Sequence, residues 1–193
     1  MSDTFNSYVL NAALPYVFGN ELEWFHDMAT FLPDGGITII LGAGPGLMIL
    51  ALLEGNPTLE VYGIDRDPTV LDSCRKHLAG DDVKAILLQG ETTQLSNYFE
   101  DKSTDFIVVD SDHSYAGVMS DIEHYWPKLK AGGLMFFHDV IDYPSGNTET
   151  GTKQALDESL ESGLMIGAEL VSTPGISQVY RKPKAAKKTK KEA

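Results

Sequence analysis

Residue types that are able to do chemistry follow two apolar runs of the sequence. In FIVVDSDHSY, the first run is followed by Asp110, Asp112 and His113. In FFHD, the second run is followed by His138 and Asp139. Carboxylate oxygens suit magnesium and calcium, imidazole suits transition metals, and a histidine titrates near neutral pH. The two stretches therefore predict a metal site or an acid–base site, and two polar loops that merely end strands are the plain alternative.

Short apolar runs alternate with helix-like segments from residue 37 onward. Near-continuous apolar runs that end in glycine or an acid are typical of strands buried on both faces of a parallel sheet. Alternating strands and helices predict an α/β fold: a Rossmann-like, doubly wound, mostly parallel seven-stranded sheet with a C-terminal antiparallel hairpin. The predicted strands are 37–42, 59–65, 83–90, 105–110 and 133–139, followed by 164–172 and 176–182, which TPG joins as a hairpin.

The segments between these strands have helical spacing, and several have recognisable ends. Asp67 stands before a proline and is the predicted N-cap of one helix, while Gly80 and Gly132 are predicted helix stops. Helical connections make the strands parallel, and parallel strands end at the same edge of a sheet. We therefore expect the two polar stretches to lie side by side at that edge. The predicted helices are 45–55, 67–80, 92–101, 115–133 and about 150–162.

We expect the chain to divide into a helical N-terminal segment or lid (1–33), one domain (34–181) and a lysine-rich tail (182–193). The tail lacks apolar periodicity, so we expect it to be disordered. Four apolar residues of the N-terminal segment are predicted to share one side of its second helix: Trp24, Phe25, Met28 and Phe31.

The charge of the chain is uneven. The net charge is −13, but residues 182–193 contribute +5, so residues 1–181 carry −18. An acidic domain repels polynucleotides, so a nucleic-acid partner is not expected. No apolar run approaches the roughly 20 residues that span a bilayer, and no signal sequence is evident. A single cysteine, Cys74, excludes an internal disulfide. We therefore expect a cytoplasmic protein with no membrane partner.

A glycine-rich loop, LGAGPGL, follows the first predicted strand and carries Gly42, Gly44 and Gly46. A dinucleotide fingerprint places its third glycine three positions after the second, where Leu47 stands here. Pro45 also removes one amide donor near the helix start. The loop favours a bulky ligand without a pyrophosphate, which makes a nicotinamide dehydrogenase a distant alternative and a plain tight turn a nearer one.

Acids follow the second and third predicted strands. Asp65 ends the second strand, where a carboxylate can accept hydrogen bonds from both hydroxyls of a ribose. Glu91 follows the third strand, where an acidic group could meet the amino group of an adenine. A capping role for the next helix fits Asp67 better than Asp65, because a proline follows Asp67.

Five motifs together resemble those of a known family. GAGPG, YGIDRDP, LLQGE, VVDSDHSYAGVMSDI and LKAGGLMFFHD, in this order, resemble the class I S-adenosylmethionine-dependent methyltransferases. More narrowly, they are similar to the compact O-methyltransferases that include metal-dependent sugar and catechol enzymes. The resemblance covers about residues 20–181. One position differs, because the family usually has an acid where Ile40 stands.

The resemblance implies S-adenosylmethionine as the cofactor. In the family the glycine loop lies under the methionine part of the cofactor, and the acid that ends the second strand binds the ribose. The residues thereby assigned to the cofactor are Gly42, Ala43, Gly44, Gly46, Asp65, Arg66, Glu91 and Asp110.

The resemblance also implies a divalent-metal site and a base. The family's metal ligands correspond to Asp110, His138 and Asp139. Asp110 and Asp139 suit magnesium, whereas ligation by His138 would favour manganese, iron or zinc. His113 lies where the catechol enzymes carry a lysine base, so we predict that it is the general base.

Residues around this site are expected to shape the acceptor pocket. Asp112 is predicted to line the pocket, or else only to cap the next helix, and Tyr115 is predicted to line it. The segment 140–151 is rich in turn formers and is predicted to be a mobile rim, with Tyr143 as a contact.

These observations predict a methyltransferase that acts on a hydroxyl group of a small molecule, assisted by Mg²⁺ or another divalent cation. A homo-oligomer remains open. The alternatives are a metal-independent methyltransferase of the same fold and a non-catalytic protein that binds the cofactor or serves as a scaffold. Ile40 favours the last alternative, whereas the presence of both His113 and Asp139 argues against it.

Overall fold

A seven-stranded sheet organises the part of the chain that the computed structural model describes, which is residues 19–80, 85–141 and 151–184. The order of the strands across the sheet is β3-β2-β1-β4-β5-β7-β6. The strands are β1 (Ile37–Leu41), β2 (Glu60–Asp65), β3 (Ile86–Gln89), β4 (Thr104–Val109), β5 (Leu129–Phe137), β6 (Glu169–Ser172) and β7 (Gln178–Arg181).

The strand directions confirm the predicted fold class. Strands β1 to β5 pair in parallel, β7 runs antiparallel to β5, and β6 completes the antiparallel hairpin. Because β1 lies between β2 and β4, the winding direction reverses at β1. The carboxyl ends of β1 and β4 therefore flank the crevice in which ligands bind in open α/β sheets.

Helices cover both faces of the sheet. They are α1 (Gly19–Ala29), α2 (Leu47–Gly55), α3 (Pro68–Gly80), α4 (Thr92–Leu95), α5 (Tyr115–Tyr125) and α6 (Thr152–Glu161), with a 3₁₀ turn at Ser96–Tyr98. In the described residues no helix is long and apolar enough to cross a membrane.

Alternate strand residues feed two hydrophobic clusters, as the two-residue period of a strand requires. Ile40 and Phe106 belong to one cluster, together with side chains from α1, α2 and α3. Ile39 and Ile107 belong to the other, together with side chains from α5 and α6. Both faces of the central strands are therefore buried, which is why their sequences read as nearly continuous apolar runs.

Two predicted helix ends are confirmed at α3. The Asp67 carboxylate accepts a hydrogen bond of 2.7 Å from the backbone N–H of Thr69, so Asp67 is the N-cap. The helix ends at Gly80, as predicted.

The predicted stop at Gly132 is wrong. Helix α5 ends at Tyr125, just before Pro127, and β5 begins at Leu129. Gly132 lies inside β5 with φ 85°, and its N–H donates to the carbonyl of Lys182 at 3.0 Å. Pairing with the chain that follows β7 therefore draws LKAGG into the sheet, and a helix-stop pattern cannot reveal that long-range contact.

The predicted apolar side of the N-terminal helix is correct except at Phe31. Phe25 and Met28 are buried, and Trp24 packs against the core. Phe31 is 85% exposed, because α1 ends at Ala29 and helical spacing no longer fixes the direction of later side chains. The predictions for Tyr143 and for most of the 140–151 rim, the N-terminal 18 residues and the end of the lysine-rich tail lie outside the described residues.

Candidate active site

The glycine loop lies against the end of β4. A Cβ atom added to Gly42, whose φ is 85°, would lie 2.1 Å from the carbonyl oxygen of Asp110. Glycine is therefore required for this close approach. A Cβ at Gly44 would meet nothing within 4 Å, because this part of the loop faces the open cavity. Gly46 lies instead against Cys74, whose Sγ would be 2.7 Å from an added Cβ.

Asp65 is fixed at the end of β2 by backbone amides. Its Oδ2 accepts a hydrogen bond from the N–H of Gly44 at 3.3 Å, and its Oδ1 accepts one from the N–H of Asp67 at 3.0 Å. These bonds tie the carboxylate to the glycine loop, and its remaining lone pairs are able to accept hydroxyl donors. Arg66 and Glu91 are exposed beside it.

A cavity of about 600 Å³ extends from this loop to the ends of β4 and β5. Such a volume is in the range that holds small molecules and cofactors. All the residues predicted to bind cofactor or metal line this cavity, with the exception of Gly46. The predicted base, His113, lines it too. Those residues are Gly42, Ala43, Gly44, Asp65, Arg66, Glu91, Asp110, His113, His138 and Asp139.

At the far end of the cavity, two histidines lie among carboxyl groups. Asp110 Oδ1 is 3.1 Å from Nε2 of His113 and 2.9 Å from Nδ1 of His138. Asp139 contacts Nδ1 of His113 through Oδ2 at 3.2 Å and Nδ1 of His138 through Oδ1 at 3.3 Å. Nε2 of His138 lies 3.4 Å from Oε2 of Glu21. We refer to these five residues as the histidine–carboxylate cluster.

The carboxyl groups of this cluster favour protonated histidines. Hydrogen bonds with Asp110 and Asp139 raise the pKa of His113 to about 9, although burial opposes them. Burial lowers the pKa of His138, but its contacts with Asp110 and Glu21 outweigh burial and raise that pKa to about 10. Burial raises the pKa of Asp110, and the two histidines more than reverse this effect. Without a bound cation, the cluster therefore holds two imidazolium groups at neutral pH.

The donor set of this cluster fits a divalent metal. Ligand atoms from Asp110, His113 and His138 all lie within 4.8 Å of one another. The ring nitrogens of His138 are buried and make no well-directed hydrogen bond, although carboxylates lie within ion-pair distance. A bound cation would replace the imidazolium protons as the positive charge. Two imidazoles and one carboxylate suit manganese, iron, cobalt or zinc better than magnesium.

This group differs from the predicted ligand set in one residue. The group contains His113, which was predicted to be a base, and does not contain Asp139, which was predicted to be a ligand. Asp139 lies beside the group with φ 53°, a left-handed conformation that is uncommon for residues other than glycine. Such strain persists where the surrounding structure fixes it, and here it directs the carboxylate toward His113.

Asp112 lines the cavity, as predicted, and the alternative that it only caps the next helix is wrong. Ser114 caps α5, and its Oγ accepts a hydrogen bond from the N–H of Gly117 at 3.1 Å. Asp112 instead accepts a hydrogen bond of 2.9 Å from the N–H of Ser114 and lines the cavity. Tyr115 was predicted to line the cavity and does not, because its hydroxyl donates to Glu158 on α6.

Sequence reasoning missed two buried acids, Glu21 and Asp121. Asp121 is 1% exposed and accepts hydrogen bonds from the hydroxyls of Thr92 and Ser111, both at 2.5 Å. Burial raises its pKa, although the two hydroxyls oppose the shift. Asp121 therefore joins the loops that follow β3 and β4, on two sides of the cavity. Its place beside Val118 on the apolar face of α5 was a usable signal, whereas Glu21 had none.

Residues 41–140, just over half of the chain, match the sequence profile of a family described as a methyltransferase domain. The chain belongs to this methyltransferase family. The predicted membership of a methyltransferase family is thereby confirmed.

Solved structures share the fold at low sequence identity. A protein from Corynebacterium glutamicum superposes with a TM-score of 0.76 at 16% identity, over 96% of this chain and 93% of that chain. The SAH-bound methyltransferase PaMTH1 of Podospora anserina gives 0.75 at 18% identity, over 96% and 89%. A Staphylococcus aureus protein assigned as a caffeoyl-CoA O-methyltransferase gives 0.73 at 16% identity, over 94% and 93%.

Two curated relatives are much longer proteins than this chain. The chain is 28% identical over 139 residues to ribosomal RNA small subunit methyltransferase B of Serratia proteamaculans, which covers 60% of this chain and 32% of that protein. The same protein of Pectobacterium atrosepticum matches similarly. The chain thus spans about a third of the length of these relatives.

Proposed function

We propose that this protein transfers a methyl group from S-adenosylmethionine to a hydroxyl oxygen of a small molecule. One observation carries the proposal: a single cavity is lined at one end by the glycine loop and Asp65, and at the other by the histidine–carboxylate cluster. A cofactor and an acceptor are therefore able to meet inside it. The SAH-bound neighbour and the neighbour assigned as an O-methyltransferase support this proposal.

The glycine-loop end is the proposed cofactor site. Gly44 leaves room for the backbone to contact the methionine part of the ligand, and Asp65 is oriented by amides to accept ribose hydroxyls. Glu91 and Arg66 line the cavity beyond Asp65, so they would face the adenine end. Gly46 would shape the loop through its packing against Cys74 and would not touch the cofactor.

The histidine–carboxylate cluster is the proposed acceptor site. Asp110, His113 and His138 would hold the divalent cation, with Asp139 beside them. A bound cation would lower the pKa of the acceptor hydroxyl and orient its oxygen. In the transfer itself, the oxygen forms a bond to the methyl carbon, and the carbon–sulfur bond breaks with its electron pair going to sulfur. In-line positioning of the oxygen supplies much of the acceleration in such reactions.

Where no cation is bound, His113 is the residue that would accept the departing proton. Its contacts with Asp110 and Asp139 make it a stronger base than an ordinary histidine, with a pKa of about 9. It must first be neutral in order to accept a proton, so turnover that uses His113 as a base should rise with pH. Ligation of His113 to a cation would remove this dependence, because the ligating nitrogen is then already deprotonated.

A metal-independent methyltransferase is the second candidate. The specific observation in its favour is that two imidazolium groups can balance the carboxylates without a cation. In that case Asp110 and Asp139 would bind the acceptor through hydrogen bonds alone.

A small molecule is preferred to RNA as the acceptor. The two curated relatives are ribosomal RNA methyltransferases, but residues 1–181 of this chain carry a charge of −18. A surface of that sign repels a phosphate backbone. We therefore expect no measurable RNA binding at physiological ionic strength.

The test is calorimetry with S-adenosylmethionine, followed by methyl-transfer assays on a panel of hydroxylated small molecules. Assays run after chelator treatment, and again after adding Mn²⁺, Co²⁺, Zn²⁺ or Mg²⁺. We expect cofactor binding, and activity that chelator abolishes and a transition metal restores. Activity unaffected by chelator would select the second candidate. Failure to bind cofactor at millimolar concentration would overturn both.

A further inference from the structure

We propose that Glu21 is a positioning residue that orients His138 as a metal ligand, which makes α1 part of the acceptor site. This inference rests on the proposed metal-dependent function. Glu21 is fully buried although it lies in the first turn of α1, and its Oε2 is 3.4 Å from Nε2 of His138. It does not line the cavity, so it would act through His138.

The β6–β7 turn holds the Glu21 carboxylate in place. The hydroxyl of Ser177 donates a hydrogen bond of 2.6 Å to Oε1 of Glu21. A Cβ added to Gly175 would lie 2.7 Å from the same oxygen, so the turn closes tightly over the carboxylate. One oxygen is thus occupied by the turn, while the other faces His138.

Stability alone gives a poor account of this arrangement. Moving a carboxylate out of water costs several kcal/mol, and replacing a buried ion pair by apolar residues of similar volume is often neutral or stabilising. The neighbours of Glu21 on α1, Leu22 and Phe25, are fully buried apolar residues. An apolar residue at position 21 would therefore suit the packing. The presence of a carboxylate there is explained instead by its contact with His138.

The two ring nitrogens of His138 face different partners. Nδ1 lies 2.9 Å from Asp110 on the cavity side, and Nε2 faces Glu21 on the core side. Histidines that ligate a metal through one nitrogen usually donate the other N–H to a carboxylate, which fixes the tautomer and the ring orientation. Glu21 would accept the Nε2–H bond of His138 and leave the Nδ1 lone pair directed at the cation.

The experiment is titration of the chelator-treated full chain with Co²⁺, followed by visible absorption and calorimetry. Affinity for S-adenosylhomocysteine is measured in parallel. We expect the Glu21→Ala substitution to weaken Co²⁺ binding by about 10- to 100-fold, the usual effect of losing such a partner, and to change the absorption bands. Glu21→Gln should cause a smaller loss, because its amide oxygen is still able to accept the Nε2–H bond. Affinity for S-adenosylhomocysteine should stay unchanged.

Glu23→Gln is the matched control, because Glu23 is an exposed acid on the same helix. It should leave Co²⁺ binding unchanged. If both Glu21 variants bind Co²⁺ like the wild type, the positioning role is overturned and the metal site stands. If the wild type binds no Co²⁺, the metal site and this inference both fail. If Glu21→Ala does not fold, Glu21→Gln decides: parallel loss of Co²⁺ and S-adenosylhomocysteine binding would indicate a merely structural residue and overturn the inference.

Discussion

The two ends of the cavity are built by different means. At the cofactor end, backbone conformation and amides dominate: Gly42 permits the close approach to β4, and the N–H of Gly44 holds Asp65. At the acceptor end, five charged side chains from α1, β4, β5 and their loops meet within hydrogen-bonding or ion-pair distance. The first end consists mainly of backbone groups of the β1–α2 loop packed against the ends of β2 and β4. The second consists of ionisable side chains that approach one another from α1 and from the ends of β4 and β5.

The difference has a physical consequence. Backbone amides present a fixed field at any pH, whereas the acceptor end responds to protons and cations. Substitutions at the two ends should therefore separate binding from turnover, and the acceptor end should make the protein sensitive to pH above neutrality.

His113→Ala should have the largest effect, and should fall on turnover alone. Loss of a general base costs about 10²- to 10⁴-fold in rate, and loss of a metal ligand would act in the same direction. Steady-state kinetics and calorimetry with S-adenosylhomocysteine measure the two properties. His124→Ala is the control, since His124 lies on α5 with its ring bonded to the carbonyl of Ser120. An equal loss of cofactor affinity in His113→Ala would contradict the division between the two ends.

Asp65→Ala should have the opposite pattern. Hydrogen bonds to a charged group contribute about 1.5–3 kcal/mol, so cofactor affinity should fall by about ten- to a hundredfold. Turnover at saturating cofactor should change much less. Asp72→Ala removes the same charge from the exposed side of α3 and should bind cofactor normally. Retained affinity in Asp65→Ala would remove it from the cofactor site.

The pH dependence of stability should come from the acceptor end. His113 and His138 have pKa values raised to about 9 and about 10, so they bind protons more tightly in the folded than in the unfolded chain. Their stabilisation is complete below the unfolded value of about 6.5 and is lost as the pH rises through the folded values. Thermal unfolding of chelator-treated protein should therefore shift to lower temperature between about pH 6.5 and 10.

A matched measurement on His113→Ala isolates the source of this slope. The variant should lose less stability over the same pH range, because it lacks one of the two titrating groups. An identical slope in the variant would assign the pH dependence to other residues. Asp110 contributes in the opposite direction: its lowered pKa makes its stabilisation disappear as the pH falls through that value in acid.

Asp121→Asn should have the smallest effect. Asparagine is still able to bond the hydroxyls of Thr92 and Ser111, so cofactor affinity should change by less than about tenfold. Asp121→Leu leaves both hydroxyls without this partner and should cost more, about 1–3 kcal/mol of stability per unsatisfied group. Calorimetry and thermal unfolding compare the two variants. Equal effects of the two substitutions would show that the negative charge of Asp121 matters, and not its hydrogen bonds to Thr92 and Ser111.

The sequence by itself determined the parallel sheet, the glycine loop and the acids at the strand ends. Those features follow from local patterns: apolar runs, the conformational freedom of Gly42, and the cap formed by Asp67 before a proline.

Only the tertiary structure decided which charged groups meet. Glu21 lies on α1, before the first strand, whereas its partner His138 follows the fifth strand. Gly132 is part of β5 because it pairs with Lys182. His113 turned toward both Asp110 and Asp139, the latter held at φ 53°. Side-chain electrostatics depend on distances of a few ångströms between segments far apart in the chain, and no local pattern encodes those distances.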